Sequence, residues 1–440
     1  MKFGGSSLAT IEKIQSVAKS VKAQVLKGNK VIMAVSAMAG ETDRLIKLTY
    51  GVSKPTTPES RCEFDSIIST GEQVSSGLIA LALQNIGVKS RSWLSWQSGM
   101  NTSSLGGSIK SVSKIKQITD SFSEFDVAVV AGFQGINTQN RITTLGRSGT
   151  DTSAVALAVA CNAVACYIYK DVDGIYSADP RICPDAKKLD HIGYKEMVEM
   201  SAGGTKALHT RSVDLAMKND MSINICFIDE CGESEGIKVK DDNKSAGTLV
   251  SKHNHLANNL ANNLANNLAN NLANASSHQS ATASKSLTGV AYRKNVSVVR
   301  MKNIPRETQT YSMIFKLFDL LNIHPDLVSI SDYGDCENGM CSVSFIVPDE
   351  EVFEAQRAAD VIKEDIKGSD CFVTQGFCAV SVVGEAMIDM DGVVAVVVDS
   401  LAEKNIDVHM IGTSKIRITC VIDESRLADA INILHKNCIA

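Results

Sequence analysis

The sequence predicts an α/β protein in which a mostly parallel sheet, with helices on both faces, precedes two smaller α+β modules. Up to about residue 250, short apolar runs typical of buried parallel strands alternate with helical patterns. A low-complexity segment follows. After it, a β-α-β-β-α pattern of about 75 residues occurs twice.

Composition sets limits on the possible functions. At 440 residues, with 44% hydrophobic and 21% charged residues, the chain is typical of a globular protein of two or three domains. The net charge of -5 comes without a basic block, so we expect no nucleic-acid partner. No apolar run approaches the roughly 20 residues of a membrane span, so we expect no membrane partner. The 12 cysteines are scattered without a CxxC pair, which favours a reduced, cytoplasmic location.

The N-terminal stretch KFGGSS precedes a helical pattern from Leu8 to Lys27. Two glycines at this point would let the backbone approach a phosphate group, which Lys2 could bind as a point charge. An ordinary strand-to-helix turn is the alternative. The segment MKF is by itself too short for a strand in a sheet, so we expect native residues before Met1.

The next two segments continue the alternation. Lys30 to Leu48 predicts a strand, a turn and a helix, and Ser69 to Gly87 predicts an amphipathic helix. Glu72 lies in the first turn of that second helix. Its carboxylate could complement the helix dipole or bind a ligand amine, and its position leaves both possibilities open.

The stretch from Gly132 to Ser153 is the centre of the predicted site. It joins an apolar strand to a helix that we expect to begin near Gly149. It carries three charged residues: Arg141, Arg147 and Asp151. Open α/β sheets bind ligands between a strand end and a helix start, where free N–H groups favour an anion. A surface loop that happens to hold charges is the alternative.

A further strand leads into a loop with three aspartates and an arginine: Asp171, Asp173, Asp179 and Arg181. Paired aspartates could hold Mg²⁺, although Asx turns explain them equally well.

The segment 251–286 contains LANN repeats followed by a Ser- and Ala-rich run. Leucines four residues apart drift by about 40° per repeat around a helix, so they share no single face. We interpret the segment as a low-complexity linker, with an interaction helix as the alternative. The two repeats beyond it, 287–375 and 376–440, predict tandem ferredoxin-like modules that bind a small effector or pair with another copy.

Five ordered motifs resemble those of aspartate kinases of the amino acid kinase superfamily, which carry two C-terminal ACT domains. KFGGSS is similar to KFGGTS, VSAMAGETDRL to VSAMGGVTDxL, and TTLGRSGTD to TTLGRGGSD. KDVDGIYSADPRICPDAKKL and GGTKALHTRSVDLA resemble the family's TDVDGVxTADPRxVPxAxxL and GAKVLHPRSVELA. The resemblance implies an amino acid kinase fold over residues 1–250 and ACT domains over 287–375 and 376–440.

The resemblance also implies a reaction. ATP would phosphorylate the β-carboxylate of L-aspartate to give 4-phospho-L-aspartate and ADP, the first step toward lysine, threonine and methionine. Such chemistry requires mainly positioning and charge neutralisation. Mg²⁺ would be held largely by the phosphates and water, without dedicated protein ligands.

The resemblance to the family implies roles for individual residues. Lys2 would lie on the transferred phosphoryl group, and Asp151 would organise the lysine and the substrate. Arg147 would bind the α-carboxylate of aspartate, Glu72 its α-amino group, and Thr42 would add a polar contact. The nucleotide-binding residues would be Gly4, Gly5, Ser6, Thr150, Asp171, Tyr176, Arg181 and Lys206.

The ACT modules imply regulation. Asp326 matches a position where lysine-sensitive relatives hold the effector amine, with Ser329 and Ser331 beside it. We expect inhibition by lysine in a homodimer, or dimer of dimers, built through the ACT modules. Threonine, or no effector, is the alternative.

The chain departs from the family motifs at several positions. Ser148 replaces a glycine, Lys170 stands where threonine is usual, and Thr210 replaces a proline. In the second ACT module, Lys415 reverses a charge. These differences lie in the motifs for the nucleotide and for the effector.

Two other functions stay open: an amino-acid sensor built on an inactive kinase, and a kinase for another amino acid. The presence of Lys2 and Asp151 favours an active kinase. Arg147 and Glu72 together match the two opposite charges of an α-amino acid.

Overall fold

The computed structural model describes residues 1–103, 107–227, 247–252, 287–321, 323–332 and 339–439. They form two compact units. The first unit comprises the described residues within Met1–Ile175, Lys188–Ala202 and Lys206–Ala281, and the second those within Tyr176–Lys187, Gly203–Thr205 and Thr282–Ala440. The LANN repeats lie outside the described residues, so their interpretation as a linker stays a prediction.

Up to residue 252, strands and helices alternate as the sequence predicts. The strands are β1 (Lys2–Phe3), β2 (Val31–Val35), β3 (Ser90–Trp93), β4 (Met100–Thr102), β5 (Ile109–Val112), β6 (Val127–Ala131), β7 (Gln134–Ile136), β8 (Ile142–Thr144), β9 (Cys166–Lys170), β10 (Ile175–Tyr176), β11 (Lys188–Leu189), β12 (His191–Gly193), β13 (Ile223–Phe227) and β14 (Thr248–Ser251). The helices are α1 (Ile11–Leu26), α2 (Glu41–Val52), α3 (Pro58–Ile68), α4 (Thr70–Asn85), α5 (Ser95–Ser98), α6 (Ile115–Asp120), α7 (Gly149–Ala160), α8 (Tyr194–Ala202) and α9 (Thr210–Lys218).

The described part of the first unit contains an eight-stranded sheet in the order β12-β14-β13-β9-β1-β2-β6-β3. Its neighbouring strands are parallel except for the pair of β13 and β14. The central strands β2 and β6 are almost entirely apolar and buried, because both faces of a parallel sheet are covered. The predicted mostly parallel sheet is thus confirmed. A smaller sheet, β5-β4-β7-β8, leads into the loop before α7.

The shortest strand lies in the middle of this sheet. Lys2 pairs with Ala34 on β2 and with Ile168 on β9, and the ring of Phe3 stacks on that of Tyr169 with centroids 4.7 Å apart. The expectation that MKF is too short for a strand is therefore wrong. Hydrogen-bonding partners on both sides and a stacked aromatic ring compensate for its length.

In its described residues, the second unit has a six-stranded antiparallel sheet in the order β16-β17-β15-β18-β20-β19. Its strands are β15 (Gly289–Pro305), β16 (Asp326–Asp332), β17 (Met340–Pro348), β18 (Asp370–Val383), β19 (Met410–Thr413) and β20 (Arg417–Asp423). Its helices are α10 (Thr308–Leu320), α11 (Val352–Asp365), α12 (Val393–Ala402) and α13 (Leu427–Cys438).

The two modules of this unit share strands. The first half of β15 contributes Val290 to one core with α12 and α13, whereas the second half contributes Val299 to another core with α10 and α11. Strand β18 also serves both cores, through Cys371 and Val382. The pairing of β15 with β18 shifts register between Arg293 and Val296, near the change from one core to the other. Sequence repeats predict modules in succession, whereas the structure interleaves them.

The segment 176–187, which lies within the predicted catalytic domain, belongs to the second unit. The N–H of Val290 donates to the carbonyl of Ser177 at 2.7 Å, and Cys183 lies in the core of the second unit. The Ser177 hydroxyl and His435 Nε2 on α13 are hydrogen-bonded at 2.8 Å. This grouping differs from the domain limit predicted at residue 250.

None of the helices in the described ranges combines the length and apolar character that crossing a bilayer requires.

Candidate active site

The carboxyl ends of β1, β2 and β9 meet the beginning of α7 at one edge of the parallel sheet. Parallel order brings Lys2, Ser36 and Lys170 to this edge, although they are far apart in the sequence. Helix α7 begins at Gly149, as predicted, and presents Thr150 and Asp151 in its first turn. Open α/β sheets bind ligands at such an edge.

A buried cluster of Lys2, Asp151 and Lys170, which we call the lysine–aspartate cluster, occupies this edge. Lys2 Nζ lies 2.7 Å from Asp151 Oδ1, and Lys170 Nζ lies 2.8 Å from Asp151 Oδ2. The side chains of Lys2, Asp151 and Lys170 are 6%, 1% and 16% exposed. Each carboxylate oxygen therefore has its own ammonium group, and the cluster carries one net positive charge.

Burial and neighbouring charge act in opposite directions within the cluster. Burial acts to raise the pKa of Asp151, but the ammonium groups of Lys2 and Lys170 outweigh it and hold this pKa below its ordinary value. Burial lowers the pKa of Lys2, and the attraction of Asp151 only partly offsets that effect. Asp151 thus stays ionised.

The turn after β1 leaves little room for side chains. A Cβ at Gly5 would lie 3.0 Å from the carbonyl oxygen of Ala37, and one at Gly4 would lie 3.2 Å from Lys2 Nζ. The next residues form a short 3-10 helix, Ser6–Leu8. Glycine at position 4 therefore keeps the space beside the Lys2 ammonium open to a ligand, and glycine at position 5 lets the turn pack closely against the Ala37 carbonyl.

Glu72, in the first turn of α4, is the second buried carboxylate. It is 3% exposed, and its Oε1 accepts a hydrogen bond from the N–H of Ala37 at 3.0 Å. Among the described residues, its Oε2 has no hydrogen-bond partner. Burial raises the pKa of Glu72 to about 7. A buried carboxylate oxygen without a partner is suited to bind a ligand ammonium group.

Ser36 and Ala37 connect the two buried carboxylates. The Ser36 hydroxyl donates to Thr150 Oγ1 at 3.0 Å, next to Asp151, and the N–H of Ala37 binds Glu72. The two residues follow β2 directly, within the VSAM motif. The structure therefore brings Lys2, Thr150 and Glu72 into one continuous site.

The loop before α7 carries Arg147 on the surface. The start of this loop is held by the buried Asp65, whose Oδ1 accepts a hydrogen bond from the Thr144 hydroxyl at 2.9 Å. Arg141, in the same predicted stretch, forms an ion pair of 2.6 Å with Glu63 on α3. Ser148 has a left-handed φ of 55°. The structure thus leaves Arg147 outside the buried cluster.

The other predicted site residues are spread over both units. In the first unit, Thr42 lies half-buried in the first turn of α2, whereas three residues are exposed: Ser6, Asp171 and Lys206. In the second unit, Tyr176 is half-buried, and Arg181 is exposed and forms an ion pair of 2.7 Å with Asp179. The Tyr292 hydroxyl also donates to Asp179, at 2.8 Å.

Motif matching alone does not point to three residues that contact this site: Ser36, Ala37 and Lys170. Ser36 and Ala37 lie in the motif that also contains Thr42. Lys170 departs from the family motif. Its position immediately before DVDG is the signal that could have identified it.

The predicted effector residue Asp326 begins β16, where its carboxylate binds Arg293 Nη2. A cavity of about 160 Å³ lies beside it, lined among others by Lys294, His324 and the two residues of this ion pair. Ser329 and Ser331 are exposed farther along β16 and are not part of this lining.

Residues 1–227 match the amino acid kinase family, and residues 380–438 match an ACT domain. The chain is 34% identical over 439 residues to an aspartokinase of Geobacillus stearothermophilus, covering 99% of this chain and 95% of that protein. It is 31% identical over 435 residues to aspartokinase 2 of Bacillus subtilis (strain 168), covering 99% and 96%.

Solved structures agree in fold. A crystal structure of E. coli aspartokinase III in complex with aspartate and ADP matches with a TM-score of 0.73 and 20% identity, covering 99% of this chain and 98% of that one. A second structure of that protein, in complex with lysine and aspartate, matches with a TM-score of 0.69 and 20% identity, covering 100% and 99%.

Proposed function

The chain belongs to the amino acid kinase family as an aspartate kinase, and we propose that Lys2, Asp151 and Glu72 hold the reacting groups while ATP phosphorylates L-aspartate. The observation that carries this proposal is the continuous site formed by the lysine–aspartate cluster and the buried carboxylate of Glu72. The positive lysine–aspartate cluster matches the phosphates of ATP, and the negative Glu72 carboxylate matches the ammonium group of aspartate.

The substrate is oriented by its own charges. Glu72 Oε2 accepts the α-ammonium group of aspartate, which supplies the partner that this buried oxygen lacks among the described residues. Arg147 binds the α-carboxylate as a bidentate fork, and Thr42 adds a polar contact. Binding of both charged groups points the β-carboxylate toward the lysine–aspartate cluster.

The chemical step breaks the bond between the γ-phosphorus and the ADP oxygen and forms one from the β-carboxylate oxygen to phosphorus. Lys2 neutralises charge on the transferred group, and Asp151 keeps the ammonium group of Lys2 in place. The turn at Gly4, Gly5 and Ser6 surrounds the phosphates. The products are 4-phospho-L-aspartate and ADP.

Mg²⁺, supplied with ATP, would neutralise phosphate charge. Both oxygens of Asp151 already bind lysine ammonium groups, so this carboxylate is not available as a metal ligand. The donor set therefore fits a metal held mainly by phosphates and water. Beyond the phosphates, the nucleotide would be bound in the first unit by Thr150, Asp171 and Lys206.

The proposed setting is biosynthetic. The product begins the route to lysine, threonine and methionine, and the enzyme works in the cytoplasm as a homodimer, or dimer of dimers, through its ACT domains. Lysine inhibits it, as the complex of E. coli aspartokinase III with lysine and aspartate suggests by analogy.

The effector site is the cavity beside Asp326, where the lysine ammonium group binds the carboxylate in competition with Arg293. Ser329 and Ser331 lie on the same strand and extend the site. A coupling free energy of about 1 to 3 kcal/mol between this cavity and the active site is enough for clear inhibition.

A coupled assay of ADP release tests the proposal with aspartate, glutamate and acetylglutamate as substrates. We expect activity with aspartate, and activity with glutamate alone would refute the assignment. The same assay with added lysine tests the regulation. If millimolar lysine leaves aspartate-dependent ADP release unchanged while threonine lowers it, threonine is the effector.

A further inference from the structure

We propose that Lys170 is a positioning residue for phosphoryl transfer, which fixes the Asp151 carboxylate through its second oxygen and so fixes the direction of the Lys2 ammonium group. This inference rests on the proposed function of Lys2 and Asp151. It concerns a residue at which the chain departs from the motif that it otherwise resembles, because threonine is usual at this position.

The geometry comes from neighbouring parallel strands. Strand β9 lies beside β1, with Phe3 opposite Tyr169, so Lys170 follows at the level of the turn after β1. Its Nζ reaches Asp151 Oδ2 at 2.8 Å, while Lys2 Nζ reaches Oδ1 at 2.7 Å. A carboxylate held at one oxygen can rotate about its terminal bond, whereas one held at both oxygens has a defined plane.

The charge of the cluster points to the same role. Lys2 and Asp151 alone are neutral as a pair, and Lys170 adds a positive charge that is mostly buried. A buried net charge destabilises the free protein unless a partner arrives. The phosphates of ATP are such a partner, and the oxygens of the transferred phosphoryl group carry negative charge in the transition state.

Other titratable groups face the cluster from the surrounding elements. Asp171 acts to raise the pKa of Lys2. Asp151 acts electrostatically on His209 and on the buried thiol of Cys166. All three groups stay in place when Lys170 is replaced. A pKa shift of Lys2 or Asp151 that follows the replacement is therefore due to the removed ammonium group.

The direction in which the pKa values of Asp151 and Lys2 change on removal of Lys170 follows from its charge. The ammonium group of Lys170 lowers the pKa of Asp151 and also that of Lys2. Its removal therefore raises both. The acid limb of kcat, which requires ionised Asp151, moves to higher pH, and so does the alkaline limb, which requires protonated Lys2.

The experiment measures kcat and KM against pH for Lys170→Met and Lys170→Arg. We expect Lys170→Met to lower kcat about tenfold or more, with a smaller change in the KM of aspartate and with both limbs moved to higher pH. Lys170→Arg keeps the charge and should keep the positions of both limbs. If Lys170→Met does not fold, Lys170→Thr replaces it, because threonine is the usual residue at this position in the family motif. We expect the same changes in kcat, KM and pH profile for Lys170→Thr.

Two results would overturn the inference. One is a wild-type kcat and pH profile in Lys170→Met. The other is a lowered kcat with unmoved limbs and equal loss in Lys170→Arg, which would indicate a structural role. Lys2→Met and Asp151→Asn separate the two proposals. If these variants stay active, the proposed function of the cluster fails; if they lose activity and Lys170→Met does not, only the role of Lys170 fails.

Discussion

Replacement of Glu72 by glutamine should weaken aspartate binding and, at the same time, stabilise the free enzyme. Both effects follow from the burial of one carboxylate whose second oxygen lacks a partner among the described residues. Glutamine has nearly the same shape, so it keeps the packing of α4 and removes only the negative charge.

The binding effect comes from one charge-assisted hydrogen bond. Its loss costs about 1.5 to 3 kcal/mol, which corresponds to a rise of roughly 10- to 150-fold in the KM of aspartate. Because the pKa of Glu72 is about 7, kcat/KM of the wild type should fall about tenfold per pH unit below that pH. In Glu72→Gln, kcat/KM should no longer fall below pH 7, and the KM of ATP should be unchanged.

The stability effect follows from the same pKa, which rises from 4.5 to about 7 on folding. Between these values the folded state binds more protons than the unfolded state, so the wild type loses stability as pH rises through this window. The total loss is of order 3 kcal/mol. Glutamine does not titrate, so Glu72→Gln should exceed the wild type in unfolding free energy above about pH 7 and converge toward it below about pH 4.5.

Urea denaturation at several pH values and steady-state kinetics measure the two effects. Glu59→Gln is the matched control, since Glu59 is exposed in the first turn of α3, and it should change neither. The reasoning is refuted if Glu72→Gln binds aspartate as tightly as the wild type, or if it is less stable at alkaline pH.

Three other variants test separate parts of the site. Arg147→Ala should raise the KM of aspartate about tenfold or more with little change for ATP; equal damage to both in steady-state kinetics would place the arginine at the phosphates. Ser148→Gly should raise the unfolding free energy by up to about 1 kcal/mol, because a left-handed φ of 55° strains serine but not glycine; a loss of stability in urea denaturation would contradict this. Arg293→Ala should lower the half-inhibiting lysine concentration by up to about fivefold, because it frees Asp326. A rise in that concentration in the coupled assay would show that Arg293 binds the effector itself.

The sequence by itself determined the fold class, the family and the identity of the main charged groups. Apolar runs alternating with helical patterns predicted the parallel sheet, and the start of α7 at Gly149 followed from its turn and capping residues. The motifs contain Lys2 and Asp151, and Glu72 is a carboxylate in the first turn of a predicted helix. These features depend on short stretches of chain, which periodicity and motif spacing report directly.

The tertiary structure alone decided what each group contacts and how it titrates. The two-residue strand β1 lies in the middle of the sheet because β2 and β9 pair with it on either side. Lys170 binds Asp151 because β9 lies beside β1. The pKa of Glu72 depends on burial under elements distant in sequence. The interleaving through β15 and the placement of residues 176–187 in the second unit depend on shared cores. Pairing, burial and electrostatics act through space, and local sequence patterns carry no measure of them.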